Sequence, residues 1–195
     1  MIKSLKGYLI LYCVTAVISM ILFTVALCQG IAIFVDTYYF SSNNLSIVGQ
    51  NSVKVQGIVM ALTLFIIALV IFILSIIFSM ILLYYFWESI KDGSSTRISP
   101  GKAVGFMFIP FFNLYWSFQA YVGLSADMKS YLEENKISAR APSNLVGGGI
   151  VILSVFLVFS AKGVIILLWI SIILNMLFLF QGYSAVKAIY EAEDR

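Results

Sequence analysis

The sequence predicts an all-α integral membrane protein with four transmembrane helices and one amphipathic helix that lies in the membrane plane or re-enters it. Three observations lead there. Of 195 residues, 62% are hydrophobic and 11% charged, whereas soluble domains run at about 45–50% and about 25%. Mean hydropathy is +1.02, and the apolar residues gather in runs long enough to cross a bilayer. The charges fall between those runs, and the longest polar stretch, Ser125–Asn144, is too short to fold alone. A single membrane domain over 1–195 is expected, with spans at about 8–35, 56–87, 144–161 and 164–181 and an interfacial or re-entrant segment at about 103–135.

The first run, Tyr8–Val35, follows Lys3 and Lys6 as a signal peptide would. It far exceeds a 7–15-residue signal core, and Leu27 before Cys28 is not the small residue a lipoprotein site needs, so a retained helix is expected. Cys13 and Cys28 are the only cysteines. Fifteen residues apart on one helix is about 22 Å, too far for a disulfide, and both read as packed apolar residues.

A polar loop over Asp36–Val55 precedes the second run, Gln56–Trp87. Its length corresponds to about 48 Å of helix against about 30 Å of hydrocarbon, so it must tilt or project. The Tyr84-Tyr85-Phe86-Trp87 cluster suits an end at the headgroup layer. After the polar loop Glu88–Lys102 and the ambiguous segment below, the runs Asn144–Ala161 and Val164–Gln181 are split only by Lys162-Gly163. A tight helical hairpin with Lys162 snorkelling to the surface is expected there.

The segment Ala103–Leu124 is apolar and aromatic, yet broken by Pro110 and dotted with Asn113, Ser117 and Gln119. Charge counting decides whether it crosses. If it stays on one side, Lys3, Lys6, Lys91, Arg97, Lys102, Lys129, Lys136, Arg140, Lys187 and Arg195 are cytoplasmic, leaving Lys54 and Lys162 outside. If it crosses, the split is even. The positive-inside rule favours the first arrangement, with both termini inside. Reading a helix from Pro110, Asn113, Ser117, Ala120, Asp127, Ser130 and Glu134 form a polar stripe. Phe111, Phe112, Leu114, Trp116, Phe118, Tyr121, Val122 and Leu132 lie opposite. That pattern describes an in-plane helix. A shallow re-entrant element is the close alternative, with Pro110 turning the Ala103–Ile109 arm back.

The run Ser99-Pro100-Gly101-Lys102-Ala103-Val104-Gly105-Phe106-Met107-Phe108-Ile109-Pro110-Phe111-Phe112-Asn113-Leu114-Tyr115-Trp116, with Phe118-Gln119 after it, resembles the hallmark of a family of small bacterial multi-spanning membrane proteins of unknown function. Their pattern is roughly Ser/Thr-Pro-Gly-x-Ala-Val-Gly-x-x-Phe-x-Pro-x-x-Asn-Leu, then an aromatic and a Gln, after a helix ending in a Trp that Trp87 matches. The resemblance is strong over about 20 residues and extends to the rest by helix order. Ser117 or Phe118 stands where some members carry a second proline, which makes the following helix smoother here. The resemblance implies a fold and a bacterial inner-membrane setting, with no activity attached.

Chemistry in the spans is sparse. They hold no Asp, Glu or His, and the chain has no histidine at all. Catalytic, metal and cofactor sites are therefore not expected, nor is an enzyme, and nucleic-acid binding lacks a basic folded face. Asp36, Glu88, Asp127, Glu133 and Glu134 lie at or beyond helix ends. Ser75, Ser79 and Ser154 are expected to bond their own helix carbonyls, and Asn175 and Gln181 to bond between helices. The candidate structural or interaction motif is Pro100, Gly101, Gly105, Pro110, Asn113, Trp116 and Gln119. In it Gly101 and Gly105 would allow close backbone approach, and Asn113 would cap or bridge groups freed by Pro110.

The expected role is a non-enzymatic inner-membrane accessory, sensor or scaffold. It engages membrane lipid or a soluble protein partner at the cytoplasmic face, where anionic headgroups attract Lys and Arg. The alternative is a small channel or transporter, which in a four-helix chain requires a homo-oligomer. The small pairs Ala26/Gly30 and Ser75/Ser79 offer packing surfaces for such assembly.

Overall fold

Apolar segments of this length become helices because hydrocarbon offers no partner for backbone N–H and C=O groups, so each must be satisfied within the segment. A computed structural model describes residues 2–42, 50–92, 96–159 and 164–194, with side chains outside 36–54 and 158–164. Among the described residues all regular structure is helical. The elements are α1 (Ile2–Ser42), α2 (Gln50–Glu88), α3 (Pro100–Gly105) with a 3-10 turn at Phe106–Phe108, α4 (Phe112–Ser117), a π segment (Phe118–Gly123), α5 (Leu124–Glu134), α6 (Asn144–Phe159) and α7 (Val164–Glu193).

Three helices, over Ile2–Val35, Val55–Glu88 and Ile165–Glu193, are long and apolar enough to cross a membrane, and only 22–33% of an 18-residue apolar stretch in each is buried within the chain. The remaining apolar surface needs hydrocarbon around it, which makes the chain a multi-pass membrane protein in class. The apolar helix α6 is shorter: its 16 residues rise about 24 Å. Helices α1 and α2 run further than the sequence suggests. The first continues through Ser42 and the second begins at Gln50, so most of the expected Asp36–Val55 loop is helical. The expected turn at Lys162-Gly163 lies outside the described residues. Helix α7 does not end near Gln181 but continues to Glu193.

The chain forms two compact units, residues 14–75 and residues 1–13 with 76–195. In the first, Phe23 meets Phe65 and Phe72 edge to face, with centroids 5.3 and 6.0 Å apart. Gly57 lets α2 approach Ile33 of α1, where a Cβ would stand 3.2 Å from Cδ1. Ser19, Thr24, Thr63 and Ser75 bond carbonyls one turn back, as hydroxyls in apolar helices do.

The second unit holds most of the largest fully buried side chains: Leu82, Leu83, Phe86, Trp87, Ile90, Leu124, Met128, Phe178, Leu179 and Ile189. The expectation that Tyr84–Trp87 forms an interfacial belt is half corrected. Tyr84 is exposed, whereas Phe86 and Trp87 are wholly buried. The reason is Gly182 on α7, where any Cβ would lie 2.3 Å from the Phe86 ring. The absent side chain is the space the ring fills. Gly147 on α6 does similar work: a Cβ there would stand 3.4 Å from the Tyr121 backbone and 3.2 Å from the Phe178 ring.

Candidate functional site

The motif residues build a helical hairpin. Pro100 occupies the first turn of α3, where its missing N–H costs nothing and its fixed φ suits the helix. Nine residues later the chain reverses at Ile109–Phe111. Phe111 has φ 63° and ψ −42°, and the Phe112 N–H donates to the Pro110 carbonyl at 2.7 Å. This is a γ-turn of the strained hand, uncommon for a residue with a bulky side chain. Pro110 thus sits in the turn, and the helix starts at Phe112 rather than at the proline.

Trp116 closes the hairpin. Its indole N–H donates to the Ala103 carbonyl at 2.9 Å, and its ring meets Phe106 edge-on and stacks on Phe112, at 4.8 and 5.5 Å. The segment is therefore two arms folded together and not one continuous helix. Gly101 and Gly105 do not serve close approach: a Cβ on either would meet nothing within 4 Å. Asn113 does not cap the Pro110 turn either. Its Oδ1 and carbonyl both receive the Ser117 hydroxyl at 2.8 Å. Gln119 lies half-buried in the π segment, with Oε1 3.5 Å from where a Gly123 Cβ would be.

The π segment explains why the expected polar stripe fails. One extra residue in a turn rotates everything after it by about 100°. Up to the segment's first residue, Phe111, Phe112, Leu114, Tyr115 and Phe118 are exposed. From its third residue onward, Ala120, Tyr121, Leu124, Asp127 and Met128 are buried, so the stripe's Ala120 and Asp127 face inward. Within this wide turn the Ala120 carbonyl accepts the buried Trp87 indole N–H at 3.3 Å.

Asp127 lies in the first turn of α5, at a helix end as the sequence reading placed it, yet with its carboxyl only 4% exposed. Arg97 reaches it from the loop after α2. Nε and Nη2 donate to Oδ1 at 2.9 and 2.6 Å, and the Arg97 main-chain N–H donates to Oδ2 at 3.2 Å. Hydrogen bonding to the carboxylate, then its charge, holds the Arg97 guanidinium above its usual range. The pair's stabilisation is thus present at all ordinary alkaline pH, being lost only as the pH rises through that raised value. A lone Asp between Leu124 and Met128 was the signal available in the sequence; its partner, thirty residues away, was not.

A further polar contact crosses the helices. Ser79 donates to Asn175 Oδ1 and Asn175 Nδ2 to the Tyr121 hydroxyl, each at 3.4 Å, while Gln181 Oε1 accepts the Ser143 N–H at 2.9 Å. Asn175 and Gln181 bond between elements as expected. Ser154 bonds its own helix at Ile150, whereas Ser79 departs from that expectation. No group of three or more His, Cys, Asp or Glu side chains able to hold a metal occurs among the described residues. Comparison with protein-family models, curated proteins and solved structures returns no match.

Proposed function

We propose that this is a four-span bacterial inner-membrane protein, N-in and C-in, related to the small multi-spanning family whose motif it carries over 99–119. In this reading it acts without catalysis, as an accessory, sensor or scaffold that engages lipid or a protein partner at the cytoplasmic face. The observation that carries the proposal is the hairpin, an aromatic tip held rigidly on a buried base. Phe108, Phe111 and Tyr115 at the tip are 69%, 91% and 61% exposed. The base is pinned by Trp87, Trp116 and the Arg97–Asp127 pair.

Re-entry fits better than an in-plane helix. Val104 and Phe108 line a groove with Ile77, Ile81 and Tyr84 of α2, alongside the apolar helix rather than beyond its end. Tyr121 meets Asn175, six residues before Gln181 and so about 9 Å along α7. The first arm, Pro100–Phe108, rises only about 15 Å, half of the hydrocarbon thickness, which suits entry without crossing. Ten cytoplasmic cations against two outside support the same topology. Helix α6 supplies the short third span.

The Ser79–Asn175–Tyr121 contact favours a second reading, a small oligomeric channel or transporter, because polar groups at this depth mark pathways. Two experiments separate the readings. Crosslinking and mass spectrometry on cells carrying wild-type, Trp116→Ala or Asn113→Ala protein should show cytoplasmic-side partners or lipids lost in Trp116→Ala. Unchanged crosslinks in both variants sink the scaffold reading. Ion or solute flux through reconstituted wild-type protein, abolished by Asn175→Leu, establishes the second.

A further inference from the structure

The strap between α5 and α6 is built as a rigid frame. Its first end is a Schellman motif: Ile137 N–H donates to Leu132 O at 2.9 Å and Lys136 N–H to Glu133 O at 3.2 Å. Lys136 fills the left-handed position, φ 53°, where glycine is the usual residue. The other end is tied by Gln181 to the Ser143 N–H. Between the fixed ends, α5, the strap and the start of α6 enclose a groove of about 470 Å3.

Three cations line it, Lys129, Lys136 and Arg140, against one anion, Glu133. Glu133 is engaged by Lys129 at 3.8 Å. Among the described residues, neither Lys136 nor Arg140 is in an ion pair. Two unneutralised cations lining one concavity form a site for an anion. The groove also has an apolar rim. Leu145, the second residue of α6, is 88% exposed, and Ile137 and Pro142 line the wall. Arg140 further borders a second groove, of about 340 Å3, beside the exposed Phe180 of α7. A free anion needs only the cations; exposed apolar side chains at the first turn of one apolar helix and beside another match an amphiphile.

We propose that this groove binds the phosphate of an anionic phospholipid, seated between Lys136 and Arg140, with an acyl chain leaving over Leu145. The site rests on the reading of α6 and α7 as spans with the strap at the cytoplasmic headgroup layer, and it deepens that reading by naming the lipid class. The headgroup ties α5 to the start of α6, so lipid charge bears on the hairpin whose base α5 continues.

The test is native mass spectrometry of the full chain purified in detergent, with phosphatidylglycerol and phosphatidylcholine added in equal amounts. Wild-type protein should retain phosphatidylglycerol preferentially. Lys136→Gln with Arg140→Gln should weaken that retention roughly 25-fold, about fivefold for each cation near a headgroup. Lys91→Gln with Lys102→Gln, outside the groove, should leave it unchanged, and an unaltered melting temperature in detergent shows that each variant folds. Equal retention by the groove variant overturns the proposal, as does displacement of the lipid by inorganic phosphate at equal concentration, which would assign the site to a free anion. Detergent binding does not depend on orientation. A reporter fused at residue 138 that faces outside therefore overturns the topology on its own, and the lipid result is read separately.

Discussion

Asp127 and Arg97 behave as an unequal pair. The carboxylate is buried while the guanidinium side chain is 62% exposed, so each partner loses something different when the other is removed. Arg97→Ala leaves a buried carboxylate with one main-chain donor, which costs about 1–3 kcal/mol. Asp127→Asn keeps the shape, and Arg97 turns back to water. Thermal unfolding in detergent should therefore show the larger loss for Arg97→Ala. The glycines divide in the same manner. Gly182→Ala places a methyl against the Phe86 ring and should destabilise by about 1–3 kcal/mol. Gly101→Ala and Gly105→Ala meet open space and should be neutral or stabilising by up to about 1 kcal/mol, as alanine is in helices. A motif glycine tolerating substitution while an unremarked one does not reverses the ranking the sequence suggests.

Among elements, the long apolar helices were legible because periodicity is not needed to find them, only length and the lack of charge. The α3–α5 region was legible as an unusual segment but not in its geometry. Proline at 110 signalled a break, and Trp116 marked a contact, yet helical spacing was carried through Phe118–Gly123 as if no π turn intervened. No local residue pattern announces that extra residue; it is stabilised from a distance, by the Trp87 indole on the Ala120 carbonyl. Two substitutions test this division of labour. Trp87→Phe keeps an aromatic ring but removes the indole donor and part of a wholly buried side chain, and should lower stability by about 1–3 kcal/mol. Phe111→Gly relieves a positive φ at an exposed turn and should raise stability in detergent by about 1 kcal/mol. If both variants melt like wild type, the hairpin geometry described above does not hold.

At the level of the whole molecule, length and charge asymmetry in the sequence pointed to a multi-pass membrane protein, and three long apolar helices with largely unburied surfaces agree. What composition could not convey is where the chain packs itself. The continuation of α7 to Glu193 buries Ala185, Val186 and Ile189, residues too sparse in a polar stretch to read as core. Long-range packing of this kind depends on which helix faces meet, and a single sequence does not encode that locally. The account stands on the hairpin entering the membrane without crossing it, so that α5 and both termini share one side. A topology reporter fused after Ser130 tests this most directly. The account expects the signal of a cytoplasmic reporter, matching a fusion at the C-terminus; an external signal at Ser130 would mean that the hairpin region crosses, and the four-span arrangement would be wrong.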